Sequence, residues 1–191
     1  VFSYTEESGA NNNGKSLCRI PDKKGQFKEC KPSPGASNQQ GLKLKIKITE
    51  ILPDPVGDDN AVLPSGEWIE IHSEESSEVD LSGFYIEDDF GRKLYISDTN
   101  VQETTKVKED SYLVIYANGF TGLLNNQGFE RVILYNSDGI PLDTISYGST
   151  QEGVSWSLVD EKWIQTQPTP GIENPKNEDV DLDSRIDIEN I

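Results

Sequence analysis

The chain has 191 residues, 34% of them hydrophobic, enough for one well-cored domain with accessory segments. Its net charge of −17 repels phosphate backbones and argues against a nucleic-acid partner. No run of about 18 apolar residues occurs, so no membrane-spanning helix is expected.

Charge is divided unevenly: residues 1–47 hold nine Lys/Arg and four Asp/Glu, and the remainder is strongly acidic. The leading segment reads as a solvated basic linker or as an arm lying against the acidic body. With neither a methionine nor an apolar leader at Val1, the chain is expected to be a piece of a longer precursor.

Cys18 and Cys30 flank Pro21-Asp22-Lys23-Lys24-Gly25, a turn composition. A hairpin centred on Lys24 sets the two cysteines directly opposite and predicts a cross-strand disulfide, with two free thiols as the alternative. Closing so short a loop contributes up to about 3 kcal/mol, and a disulfide points to an oxidising compartment.

Pro32-Ser33-Pro34-Gly35-Ala36-Ser37-Asn38 returns as Pro168-Thr169-Pro170-Gly171-Ile172-Glu173-Asn174. Ahead of each copy stand a Ser-Tyr pair (Ser3-Tyr4, Ser146-Tyr147), a Gly-x-Ser (Gly14-Lys15-Ser16, Gly153-Val154-Ser155) and an aromatic residue (Phe27, Trp163). Such self-similarity marks repeated units. Nothing precedes the first copy, so it is expected to be the tail of an earlier repeat.

Residues 42–52 alternate, with Leu44, Ile46 and Ile48 on one face and Lys43, Lys45 and Lys47 on the other. This predicts a half-buried strand whose lysines protect an edge. Short aromatic and β-branched segments follow at 67–72, 83–87, 93–97, 111–117, 131–135, 141–147, 155–159 and 163–166, separated by turn residues such as Asn136-Ser137-Asp138-Gly139. No ten-residue stretch sustains a helical period. The pattern predicts an all-β antiparallel sandwich without substantial helix.

Acidic clusters are the candidate metal sites, since hard cations take oxygen ligands. Asp54, Asp58 and Asp59 share one loop, and Glu87, Asp88 and Asp89 another. Near the C-terminus, Asp179, Asp181, Asp183, Asp187 and Asn190 have the spacing of a Ca²⁺-binding loop, against Ser184 where that loop wants glycine. An acidic linker is the plainer reading. No cofactor is required by the pattern, and Ca²⁺ is the one candidate ion.

His72 is the single histidine, so no Ser-His-Asp or Cys-His constellation can be assembled, and it is expected to be an exposed spacer at a strand end. Glu67 and Glu70 fall on opposite faces of one strand and fail as an acid/base pair. Tyr85, Tyr95, Tyr112, Tyr116 and Tyr135 are expected to be cross-strand packing, with a recognition face as the alternative.

Several motifs, in order, resemble the prokaryotic type of lamin tail domain. They are Ile48-Thr49-Glu50-Ile51-Leu52-Pro53-Asp54-Pro55, Glu67-Trp68-Ile69-Glu70-Ile71, Val79-Asp80-Leu81-Ser82-Gly83-Phe84-Tyr85-Ile86-Glu87-Asp88, Tyr112-Leu113-Val114-Ile115, Ser146-Tyr147, Gly153-Val154-Ser155-Trp156 and Thr169-Pro170-Gly171-Ile172-Glu173-Asn174. Ser73 and Val154 depart from the usual Asn and Arg. The resemblance implies an immunoglobulin-like sandwich over 41–175, preceded by the closing hairpin of an earlier copy and a linker (1–40) and followed by an acidic linker or further module (176–191). It also implies a non-catalytic binding or architectural module of a larger, multidomain secreted or cell-surface protein. Protein, glycan or envelope ligands, or neighbouring repeats, are its expected partners. The alternative is an accessory domain of a metal-dependent secreted hydrolase, or that hydrolase itself, acting through the Asp54/Asp58/Asp59 loop.

Overall fold

The computed structural model describes residues 14–20, 26–30, 32–35 and 44–176. The chain divides into two units, Val1–Lys43 and Leu44–Ile191.

In the first unit, β1 (Ser16–Ile20) and β2 (Gln26–Cys30) form an antiparallel hairpin closed by a Cys18–Cys30 disulfide, Cα atoms 6.0 Å apart. The disulfide follows the expectation, but the register does not. Cys30 lies opposite Ser16 and Cys18 opposite Lys28, so the bridge is diagonal. Diagonal neighbours share a face and stay within bonding reach. Across the hairpin, the Arg19 guanidinium sits 4.4 Å from the centre of the Phe27 ring.

The second unit carries β3 (Ile46–Asp54), β4 (Trp68–Ser73), β5 (Val79–Asp80), β6 (Tyr85–Asp88), β7 (Lys93–Tyr95), β8 (Lys106–Val107) and β9 (Ser111–Tyr116). It continues with β10 (Glu130–Tyr135), β11 (Pro141–Tyr147), β12 (Val154–Val159) and β13 (Lys162–Thr166). Every segment expected to be a strand overlaps one. The two-residue β5 and β8, which pair with each other, are too short to show alternation and were not anticipated. The described residues contain no helix.

Two antiparallel sheets face each other, a five-stranded one in the order β13-β12-β3-β4-β9 and a four-stranded one in the order β11-β10-β6-β7. Ile48, Ile51, Ile69, Ile71 and Ile115 from the first meet Ile86, Leu94, Val132, Leu134, Ile145 and Tyr147 from the second in one apolar core. This is the immunoglobulin-like sandwich.

β3 runs through the middle of its sheet, which corrects the expectation of an edge strand protected by lysines. Lys47 is instead spent on an ion pair with Glu74 at 2.7 Å. Pairing of β3 with β4 shifts between Ile48 and Glu50, leaving Thr49 as an extra residue. That bulge changes the alternation. Ile46 and Ile48 face the core before it and Ile51 after it, so Glu50 and Leu52 turn to the outer face.

Candidate functional site

On that outer face Glu50 lies directly opposite Glu70 of β4. Both residues are fully buried, because the segment after β13 crosses over them. The segment supplies the donors. Thr169 gives its backbone N–H to Glu50 Oε1 and Oε2, both at 3.1 Å, and Gly171 gives its N–H to Glu70 Oε2 at 2.7 Å. From β12, Ser155 and Ser157 donate their hydroxyls to Glu50 Oε1, the latter at 3.0 Å. Thr49 donates to Glu70 Oε1 at 2.8 Å.

Asn174 completes the clasp, its Nδ2 donating to the carbonyls of Thr49 at 2.8 Å and Leu158 at 3.1 Å. The Thr169 hydroxyl stands 3.1 Å from Glu50 Oε2 and 3.0 Å from Asn174 Oδ1. Its single proton serves one of them at a time. Each defining residue of the repeated Pro-x-Pro-Gly-x-x-Asn motif therefore has a task. The prolines take no part in strand pairing, Gly171 adopts a φ of 83°, and Asn174 ties the end down.

Two carboxylates cannot both ionise comfortably face to face in a buried site. Burial pushes Glu70 up to about 8, with the neighbouring Glu50 adding to the rise and the Thr49 and Gly171 donors opposing it. Burial also raises Glu50, against four hydrogen bonds to its carboxylate that favour the charged form. Glu70, with fewer donors, is the member that holds the proton at neutral pH.

A second buried acidic group sits near the core, where Glu67 has as its neighbour Glu130, a residue the sequence left unremarked. Glu130 Oε2 accepts the Tyr147 hydroxyl at 2.7 Å and the Asn125 N–H, and Glu67 Oε2 accepts the Leu124 N–H at 3.4 Å. Burial drives Glu67 up to about 8, with Asp59 and Glu130 adding to the rise. Glu67 and Glu70 thus stay apart, as their alternation requires, and each has a different glutamate as neighbour.

Beside the clasp lies a polar groove of about 330 Å³, floored by Lys47, Thr49, His72 and Tyr112 and walled by Leu158, Val159, Asp160, Glu161 and the strap residues Glu173, Asn174, Pro175 and Lys176. His72 is not the expected exposed spacer. Its ring stacks on Tyr112 at 4.5 Å, and Nε2 is 2.9 Å from Asp110 Oδ1. The β12–β13 turn is made by Asp160 and Glu161 at φ 47° and 63°. Such turns usually take Asn-Gly, because positive φ strains side-chain-bearing residues. Among the described residues only Asp110, Asn118, Asp160 and Glu161 are non-glycine residues with positive φ, and three of these four border the groove or hold its histidine.

The acidic residues singled out from the sequence as metal candidates have these surroundings. Asp58 accepts the Asn60 N–H at 2.9 Å and Asp59 accepts Asn126 Nδ2 at 3.1 Å, while Asp54 ends β3, its carboxyl raised by burial and by Asp59 and Glu152. In the other cluster Glu87 pairs with Lys93 at 3.2 Å, Asp88 with Arg92, and Asp89 with Arg131 at 2.9 Å. Among the described residues no group of three or more His, Cys, Asp or Glu is placed to hold a metal ion. Asp179, Asp181, Asp183, Asp187 and Asn190 lie outside the described residues.

The tyrosines do not form a single face. Tyr135, Tyr85 and Tyr95 line up across β10, β6 and β7, with Tyr85–Tyr135 centroids 4.8 Å apart and Tyr85–Tyr95 5.3 Å apart. Tyr116 packs with Leu52 and Trp68, and Tyr112 joins His72 in the groove. Sequence reasoning missed Glu50, Glu130, Ser155, Ser157 and Thr169. One signal was present: a glutamate inside each of two apolar strands, Thr49-Glu50-Ile51 and Ile69-Glu70-Ile71, together with Ser155-x-Ser157.

No curated protein and no solved structure matches the chain. The family model described as Lamin Tail Domain matches residues 39–149, ending ahead of β12 although the fold closes only with the β12–β13 hairpin and its strap. With more than half of its length matched, and a sandwich of the kind that family builds, the chain belongs to the lamin tail domain family.

Proposed function

We propose that this domain is a non-catalytic binding module of a larger secreted or cell-surface protein, and that its ligand is a basic, extended segment of a protein partner held in the groove beside the clasp. The family is one of immunoglobulin-like binding and architectural domains. The supporting observation is backbone strain placed at one spot: Asp160 and Glu161 hold left-handed conformations at the rim, and Asp110 does so behind His72. Strain of this kind costs of order 1–3 kcal/mol per residue and persists where the surroundings impose it, commonly at binding sites.

The groove's chemistry suits such a ligand. Lys47 is neutralised by Glu74, and Asp160, Glu161 and Glu173 outnumber Lys176, which leaves the rim net acidic. The stacked Tyr112 and His72 rings give a flat surface on which a Lys or Arg stem can lie. The Cys18–Cys30 disulfide supports an oxidising compartment.

Fluorescence anisotropy with a Lys/Arg-rich peptide, its acidic counterpart and neutral oligosaccharides tests this reading. Binding of the basic peptide alone is expected, weakened about tenfold or more by Asp160→Ala/Glu161→Ala and by raised salt. Binding of the oligosaccharides alone, or of the basic peptide unchanged in the double variant, overturns it.

A further inference from the structure

The β1–β2 hairpin and the β12–β13 hairpin are the same device built twice. Set Gly14 on Gly153 and Gly35 on Gly171: the glycines have φ of 74° and 74° in the first pair and 80° and 83° in the second. Ser16 lies opposite Cys30 as Ser155 lies opposite Thr166. The Ser16 hydroxyl oxygen stands 3.4 Å from the Cys30 carbonyl, and the Ser155 hydroxyl oxygen, whose proton serves Glu50, stands 3.3 Å from the Thr166 carbonyl. Phe27 takes the place of Trp163, and five residues separate β1 from β2 where two separate β12 from β13, which accounts for the difference in spacing.

The diagonal pair shows the equivalence most directly. Ser157 and Thr166 are joined by a hydroxyl–hydroxyl hydrogen bond of 2.6 Å, and the corresponding Cys18 and Cys30 are joined by the disulfide. One hairpin is pinned by a hydrogen bond and the other by a covalent bond, at the same two positions.

In the β12–β13 hairpin those positions exist to meet an acid pair. Ser155, Ser157 and Thr169 donate to Glu50, and Gly171 donates to Glu70. Ser16, Ser33 and Gly35 carry three of these four donors at the same places in the motif, and Cys18, in its disulfide, replaces the fourth. A serine hydroxyl and backbone N–H groups so spaced are complementary to two buried carboxylates on adjacent strands, and a lone two-stranded hairpin gains stability by packing against more strands.

We propose that the β1–β2 hairpin, with the Ser33-Pro34-Gly35 that follows it, is the closing hairpin of a second lamin tail domain. The hairpin pairs with the edge of that domain's central strand and lays Ser33-Pro34-Gly35 over two glutamates equivalent to Glu50 and Glu70. Residues 44–176 are not that domain, because β12 and β13 already occupy the corresponding place there. The partner is another copy of the same kind of core, so the hairpin is a point of continuity in an array. The inference does not depend on the groove or its ligand.

Exchange within the whole chain tests it. A chimera in which the sequence of residues 14–38 replaces residues 153–174 is expected to melt in one cooperative transition, within about 10 °C of the parent. Its transplanted cysteines are expected to oxidise, reduction to lower its Tm further, and Glu50→Ala to lower Tm in the chimera as much as in the parent. Loss of the cooperative transition in the chimera, while the Ser157→Cys/Thr166→Cys chain folds and forms its bridge, overturns the proposal. So does a chimera that melts cooperatively but is indifferent to Glu50→Ala.

Discussion

Gly171 and Glu70 stand 101 residues apart in the chain and meet in a hydrogen bond of 2.7 Å from a backbone N–H to a buried carboxyl oxygen. The contact fastens the last segment of the fold to the second strand of its central sheet. A turn motif that reads in sequence as punctuation is in the structure a lid over two acids, and the acids are what the motif is shaped to fit.

Two glycines with nearly equal φ should behave very differently on substitution. A Cβ at Gly171 (φ 83°) meets nothing within 4 Å and leaves the N–H in place, so Gly171→Ala carries only the conformational cost of about 1 kcal/mol. A Cβ at Gly66 (φ 80°) falls 2.6 Å from the Ala61 carbonyl oxygen and 2.8 Å from that of Asp59, both backbone. Gly66→Ala is expected to cost at least about 3 kcal/mol, or to prevent folding. Denaturant melts of the two variants check the ranking, and comparable losses would contradict it.

The raised carboxyls give stability a definite pH dependence. Glu67 and Glu70 titrate near 8 when folded, against an ordinary value of 4.5. Between those values the folded chain holds protons that the unfolded chain has released, so stability falls as pH rises. Their contribution is complete below about 4.5 and lost as pH passes 8. Glu74 and Asp80, lowered by Lys47 and by the Ser82 N–H respectively, act oppositely and lose their contribution on acidification below the usual carboxylate range. Melting temperature should therefore decline from pH 5 to pH 8, and the decline should be shallower in Glu70→Gln. Relief of self-repulsion by acid is common to both proteins and cancels in the comparison. An identical slope in the variant would dismiss the assignment of the proton to Glu70.

The two acids of the clasp differ in what an amide can replace. In Glu70 one oxygen faces the Gly171 N–H and the other the Thr49 hydroxyl, which can rotate to accept from an amide nitrogen. Glu70→Gln should cost less than about 1 kcal/mol at neutral pH. In Glu50 both oxygens accept from the Thr169 N–H, and Oε1 also accepts from Ser155 and Ser157. Either orientation of a glutamine sets an NH₂ against donors, so Glu50→Gln should cost about 2–3 kcal/mol. Thermal melts of the pair at pH 7 decide the order.

Much of the sandwich was legible because its strands obey a period of two and its turns carry Gly, Asn and Asp, as at Asn136-Ser137-Asp138-Gly139. The acid pair was hidden by the bulge at Thr49. Strict alternation from Ile46 and Ile48 sends Glu50 into the apolar core, an implausible place for a carboxylate, and only the extra residue turns it outward. Its donors were hidden by distance, since Thr169 lies 119 residues from Glu50. His72 was misjudged because alternation tells which face a residue occupies and not which loop, here that of Asp110, closes over it.

Among the described residues Arg92 is the cation set against the inner acids. It pairs with fully buried Asp88 through Nε, and its charge opposes the rise of Glu67 and Glu130. Asp88 keeps the N–H groups of Phe90, at 2.9 Å, and Arg92, at 2.8 Å, whatever the side chain at position 92. Arg92→Met therefore removes the counter-charge and leaves the turn's backbone bonds intact. A buried carboxylate deprived of its partner costs about 3–5 kcal/mol, reduced here because the guanidinium is more than a third exposed and two N–H donors remain. A loss of about 2 kcal/mol is expected, or 4–8 °C in Tm for a domain of this size. The double variant Asp88→Asn/Arg92→Met should recover part of it, since the uncompensated charge is then gone. A double variant no more stable than Arg92→Met would show instead that the arginine acts through packing against Gly122, where its guanidinium fills the space that a Cβ would need.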